Sequence, residues 1–533
     1  MKLPCSEHSP TTAEPLQPVC KPDTQSKTLS RTLAQTRSRS NLNSRRALFA
    51  TGLFAAAALL NEETPASAQS AGGYDPTVSW KNASLRLVRR ITLGLDAEEA
   101  ALAKKLGYSG YLDYQLKPAG IEDDAADSYI ALNYPTLTMT PKQLIDIEGT
   151  MGKGGTVNRE LIDATLFRSA FSKRQLYQRM VEFWNDHFNI DIHKVGVLKT
   201  GDDLSVARTH ALGTFPELLL ASAMSPAMLL SLDNAHSAKA HPNQNYAREL
   251  MELHTLSVNG GYTQQDVVEV ARCFTGWRVH SDSTKPEYGT FYFDAKNHDN
   301  GKKNVLGTPI PENGGVNDGI LVLKLLAKNQ NTAKFISTKM TKWLLSSAPT
   351  VATIDAVSKV YLNTAGDIPS MIREILKQSN LVKAPAKYKR PSHLVSSSIR
   401  ATGAAISDWG SIRNSLSNMG QSLFNWAPPN GYPDAMPFWA GLVLPRWDFA
   451  AKLAQNALGA KIHVDVTALV NAKTPDKIAQ LIDEALFAGE MPPKTLADVK
   501  AWLKPEKTSV SVSEGTIREA VALALSSLNF QWY

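Results

Sequence analysis

From residue 80 to the end of the chain, apolar side chains recur at three- and four-residue spacing in segment after segment. That period matches one face of an α-helix and does not fit a pleated strand, so it restricts the fold more than any other property of the sequence. The runs Leu85 to Ile91, Ala97 to Leu106, Glu160 to Phe171, Arg174 to Phe188, Asn245 to Val258, Gln265 to Phe274 and Thr332 to Leu345 all carry it, as do four more beyond residue 367. Start signals accompany it: Asp96 before Ala-Glu-Glu, Thr140-Pro141, and Thr263 with Asp266 three residues on. Strand patterning is confined to Glu287 to Phe293, where alternation predicts a short hairpin arm running into the Asp294 to His298 loop. All ten Trp lie beyond residue 79, so the core begins there. The expectation is a mainly α fold: one large multi-helix globular domain over residues 80–533, with a short β-hairpin arm.

The first 70 residues read as an address. Residues 1–43 are rich in Ser, Thr, Gln and Pro without an apolar face, which predicts disorder. Residues 44–68 place Arg45-Arg46 before an apolar run, Ala50 to Leu60, and then Ala66-Ser67-Ala68. That order is a twin-arginine signal peptide with its cleavage box, and it predicts a periplasmic or secreted protein. The apolar run has about 11 residues where a span needs about 20, so no transmembrane segment is expected after signal removal. Cys5 and Cys20 leave with the signal and only Cys273 remains, which precludes an internal disulfide. Removing residues 1–68 lowers the net charge from +7 to +4, and so weak an excess, without a long Lys/Arg tract in what remains, argues against nucleic acid as the main partner.

Three stretches set polar residues among apolar ones. In Met180 to Phe188, His187 shares a helix face with Phe183, Trp184 and Phe188, a place for a core imidazole or a ligand. In Asn243 to His254, Arg248 stands four residues before Glu252, with Glu249 between them. This is either a solvated ion-pair helix or a functional carboxylate pair with Arg248 setting a pKa. In Asn297 to Lys303, His298 sits with Asp299 in a loop that Asn and Asp side chains can also hold as a plain turn. Metalloprotease, nucleophile-elbow, Walker and dinucleotide signatures are missing. Cys273, between Arg272 and Phe274, reads as an inert buried thiol.

At these strings a family resemblance emerges. Phe-Trp-Asn-Asp-His187-Phe, Asn245-Tyr-Ala-Arg-Glu-Leu-Met-Glu-Leu-His254-Thr, Gly261-Tyr-Thr-Gln-Gln-Asp266, Ala271-Arg-Cys-Phe-Thr-Gly-Trp277, His298-Asp299 with Leu306-Gly307, and Pro428-Pro-Asn-Gly431 resemble the exported bacterial family called domain of unknown function 1800. The resemblance runs from about residue 83 to 530. It implies a large helical exported protein without an established activity, with an exported sulfatase-like protein encoded nearby as its partner. Ser257 and Ala440 to Leu442 depart from the family pattern, which more often has Gly at the first and a Gly/Trp-rich ending at the second.

Two functions follow as expectations. In the first, an enzyme gathers Glu249, Glu252 and Arg248 as acid–base groups and His187, His254 and His298 as metal ligands. Such a set suits zinc, copper or iron, a divalent transition metal serving a hydrolase or oxidase. Asn245 and Tyr246 would then contact the substrate. In the second, the protein binds polysaccharide without catalysis through exposed indoles drawn from Trp409, Trp426, Trp439 and Trp447, with Trp426 and Trp439 as the first candidates.

Overall fold

In a computed structural model of the chain, the described residues are 75–504 and 511–533. The disorder expected for residues 1–43 and the signal peptide expected at 44–68 lie outside them. Helices dominate, as the periodicity requires, and they begin where the capping residues stand. Asn82 caps Ala83–Ile91, Asp96 caps Ala97–Gln115, and capping boxes at Thr140 and Thr263 open Pro141–Glu148 and Gln264–Cys273. No described helix is long and apolar enough to cross a membrane.

The helices bury two apolar clusters. The larger includes Trp184, Leu250, Phe274, Trp277 and Trp343; the second is built on Leu161, Leu394, Trp409, Phe449 and Leu525. Helix Gln175–His187 and helix Pro391–Thr402 belong one to each cluster, and between their polar sides lies the cleft described below. Trp184 is fully buried, its Nε1 donating to Ala211 O at 3.1 Å, and Phe183, Phe188 and Leu250 share its cluster.

The expected hairpin is only partly realised. Phe291–Phe293 is a strand, but its antiparallel partner is Trp277–Val279, fourteen residues upstream across a turn-rich loop (Trp277 opposite Phe293). Two more two-stranded ribbons, Lys303–Val305 with Thr308–Ile310 and Ala405–Ile406 with Ile462–His463, were not visible as patterns because two or three residues are too few to alternate.

Two segments wind as π-helix, Asp203–Arg208 and Leu250–Thr255. In the second, the i to i−5 step is visible in the backbone, where Leu256 N donates to Met251 O at 2.8 Å; in the first, the Thr209 hydroxyl donates to Leu204 O at 2.8 Å. Wider winding turns Leu253 off the apolar side on which a 3.6-residue period puts it, and Leu253 is only half-buried. Ser257 then stops the helix at φ +76°, a left-handed conformation that ordinarily selects glycine.

Candidate functional site: a carboxylate and guanidinium cleft

Helix Gln175–His187 turns its apolar residues Leu176, Met180, Phe183 and Trp184 inward. Its other side carries Arg179, Glu182 and Asp186, spaced three and four apart and so stacked along one edge. Opposite stands Arg390, immediately before helix Pro391–Thr402. Arg390 Nη1 donates to Asp186 Oδ2 and lies 3.8 Å from Glu182 Oε1, while its Nε is 3.7 Å from Asp434 Oδ1. Ser392 Oγ donates to Glu182 Oε1 at 3.1 Å, and Arg179 Nη1 to Glu182 Oε2 at 3.4 Å. The guanidinium groups of Arg179 and Arg390 both lie against the Trp343 ring, 4.3 and 4.7 Å from its centroid.

A loop closes this arrangement. Asn189 Nδ2 donates to Trp426 O at 2.7 Å and to Pro428 O at 2.8 Å, drawing residues 426–428 onto the end of the helix. Gly431 follows at φ +75°, so near the helix that a Cβ there would stand 2.1 Å from Asp186 O. Only glycine permits that approach. It sets Tyr432 O to accept from Arg390 Nη2 at 2.7 Å and Asp434 to accept from Lys387 Nζ at 2.6 Å. The resulting cavity has a volume of about 60 Å³, and Glu182, Asp186, Asn185, Arg208, Ser392 and Tyr432 line it. Trp426, half-exposed, and Phe438, 46% exposed, meet edge to face at 5.7 Å and form an aromatic shelf beside Tyr432.

Burial pushes the Glu182 carboxyl above its ordinary range, against the pull of Arg179 and Arg390. Asp186, tied directly to Arg390, keeps a cationic partner. Two carboxyl groups four residues apart thus meet different surroundings, one pushed by burial toward holding a proton and one bonded directly to a guanidinium. That is the division a proton donor and a proton acceptor require.

Behind the cleft lies His187. Its Nε2 is 3.1 Å from His254 O, and since a carbonyl only accepts, Nε2 carries the proton. Its Nδ1 therefore offers a lone pair to Lys339 Nζ at 2.9 Å. Desolvation holds His187 well below the ordinary imidazole range, and takes His254 down to about 3 and Lys339 down to about 8. His254 sits inside the π-helical run, and its ring packs 5.0 Å from Phe188.

The structure corrects several sequence expectations. His187 and His254 come together, with ring centroids 6.1 Å apart, but His298 belongs to a different cluster. Its Nδ1 is 2.8 Å from Thr275 O, and its Nε2 is 3.1 Å from Asp318 Oδ2, an oxygen that also accepts from Lys303 Nζ at 2.7 Å. With both nitrogens of His187 and of His298 engaged, these side chains do not fit a metal centre. No group of three or more His, Cys, Asp or Glu among the described residues is placed to hold one. Arg248 does not bridge Glu249 and Glu252; it donates to Gln264 Oε1 at 2.9 Å, at a half-exposed position. Glu249 is raised by burial and then by the charge of Glu252, without closing a pocket. Tyr246 is buried against Phe274 and Asn245 is exposed, its Nδ2 3.3 Å from Leu232 O, so neither faces the cleft. Trp439 is buried, donating to Pro433 O at 2.8 Å, and Trp409 is buried in the second core. Of the four indoles, Trp426 is the one at the shelf. Cys273 is the inert thiol expected, fully buried and pushed up to about 12 by desolvation.

Sequence reasoning passed over Glu182, Asp186, Lys339 and Arg390. Glu182 and Asp186 stand four apart inside the same string that drew attention to His187. Arg390 ends the cationic run Lys387-Tyr-Lys-Arg390. Such a run before a proline ordinarily reads as solvated surface; here Lys387, Lys389 and Arg390 are all buried.

Comparison with known proteins adds one match. A family model described as "Protein of unknown function (DUF1800)" covers residues 86–532. No curated protein and no solved structure matches the chain.

Proposed function

Because the chain belongs to the DUF1800 family, whose description assigns no activity, we propose from the geometry that it is an acid–base hydrolase acting on a polysaccharide. The observation that carries this reading is the pairing of Glu182 and Asp186 at one cavity beside an aromatic shelf. Glu182 donates its proton to the glycosidic oxygen as the C–O bond breaks. Asp186, held by Arg390, takes a proton from the water that supplies the new hydroxyl. Trp426 and Phe438 give sugar rings a face to stack on outside the cavity. The protein does this after twin-arginine export, in the periplasm or outside the cell, alongside a sulfatase-like exported partner.

Glu182→Gln should lower release of reducing ends from the substrate polysaccharide by about 10² or more while shifting the melting temperature little. Asp186→Asn should lower it as much but also lower the melting temperature, since it takes the charge from the partner of the buried Arg390. Full turnover by Glu182→Gln would remove the assignment. A second reading, binding without hydrolysis, is favoured by the aromatic shelf alone. It predicts that the wild type retains polysaccharide without turnover and that Trp426→Ala releases it. Export is tested separately: replacing Arg45 and Arg46 with Lys should leave the precursor in the cytoplasm, and unimpaired export would refute the twin-arginine route.

A further inference from the structure

A second cavity lies near the start of helix Pro391–Thr402, and it owes nothing to the carboxylate cleft. Lys389, His393 and Ser397 follow one another at four-residue intervals and all line it, together with Arg89, Asn529 and Trp532. Its volume is about 20 Å³, room for one water-sized body.

The polar atoms around it do not balance. His393 Nε2, Asn529 Nδ2 and Trp532 Nε1 are buried, and none has a hydrogen-bond partner. The indole N–H can only donate. Asn529 Oδ1 accepts from Thr495 Oγ1 at 2.6 Å, which leaves Nδ2 as the free end of that amide. Lys389 Nζ reaches Ser397 Oγ at 3.0 Å and lies 3.8 Å above the Phe530 ring, but among the described residues no carboxylate stands within ion-pair distance of it. Of the acids near Arg89, Glu490 is bonded to Arg89 itself and Asp483 accepts from Met491 N at 2.7 Å. The wall thus presents the Trp532 and Asn529 N–H groups, the Lys389 amine and an imidazole nitrogen that donates in one tautomer, and buried donors left unpaired are costly.

A water molecule finds only Ser397 Oγ and, in one tautomer, His393 Nε2 to accept its two protons, whereas a halide accepts from every donor of the wall. We propose that the cavity is a binding site for a monatomic halide, with chloride as the ordinary occupant, held by Lys389, His393, Asn529 and Trp532. Its size excludes phosphate, sulfate and carboxylate-bearing metabolites. An anion there also supplies the compensating charge that a buried ammonium needs; desolvation, with the charges of Arg89 and Arg446, holds the unliganded Lys389 amine well below the ordinary range.

The test uses the intact protein and sodium chloride, bromide and gluconate at equal ionic strength. The melting temperature should rise with chloride and saturate, with bromide acting likewise and gluconate not. Asn529→Asp puts an acceptor where the donor stood and should abolish the saturable response or raise its half-point by about tenfold or more. Should that variant fail to fold, crystals of the wild type grown in bromide decide the matter through an anomalous peak at the cavity. Identical melting in chloride and gluconate, or an ordered water only at that position in bromide, overturns the assignment.

Discussion

Single side chains carry strain that the sequence leaves in plain sight. Ser257 adopts φ +76° close behind the π-helical run. An L-residue with a Cβ in the left-handed region costs about 1 kcal/mol, and Ser257 N, Cα and C still have to turn the chain so that Gly260 N can donate to Ser257 O at 2.9 Å. Ser257→Gly should therefore stabilise the protein by about 1 kcal/mol, read as a higher urea midpoint at constant slope. A lower midpoint would mean that the hydroxyl compensates the strain. At this scale the sequence was informative about burial and poor about partners. Trp184, Phe183 and Leu250 could be placed inside from their spacing alone. The bond from His187 to Lys339 joins residues 152 positions apart, and no local pattern encodes it.

Among elements, the loop from Asn425 to Asp434 is the least regular and the most consequential. Its register depends on Gly431, where a Cβ would collide with the backbone of Asp186. Gly431→Ala should push the loop from the helix end, detach Tyr432 and Asp434 from Arg390, and cost about 2 to 4 kcal/mol through combined strain and lost pairing. Retained stability with retained activity would show that the loop does not set the cleft. The helices themselves were legible because packing and period agree in them. The loop was not: proline and glycine announce a turn but not what the turn approaches. Leu253 leaves the face that a 3.6-residue period gives it for a related reason. A π-helical run breaks the period on which any face assignment rests, and nothing in Leu-Met-Glu-Leu-His-Thr announces that change of winding.

For the whole molecule, neutral buried imidazoles tie stability to pH. His254 titrates at about 3 in the folded protein and near 6.5 once unfolded, and His187 is displaced in the same direction. Below pH 6.5 the unfolded chain takes up protons that the folded one refuses, so stability is complete above that pH and is lost as pH falls toward 3. Each residue contributes up to about 1.4 kcal/mol per pH unit. Glu182 opposes this in the window between its ordinary value and its raised one, where its buried carboxyl keeps a proton that the unfolded chain gives up. Urea midpoints should fall between pH 7 and pH 5, and His254→Gln should make that fall shallower. A flat profile over this interval would contradict the assignment of neutral, buried rings.

The segment that bears Arg390 is fastened from far away. Lys387 N donates to Tyr533 O at 2.8 Å, Tyr533 N returns the bond to Lys387 O at 2.9 Å, and Lys389 N donates to Gln531 O at 2.8 Å. The ribosome therefore releases the cleft's cationic wall well before it releases the residues that hold this wall in place. A nascent chain can complete the Gln175–His187 helix and its carboxylates early, yet Arg390 gains its final position only after about 140 further residues have been added. Alignment of the centre in this way waits on Gln531 and Tyr533, and a chain cut short near residue 528 would carry every residue of the carboxylate cleft without the brace that aligns them.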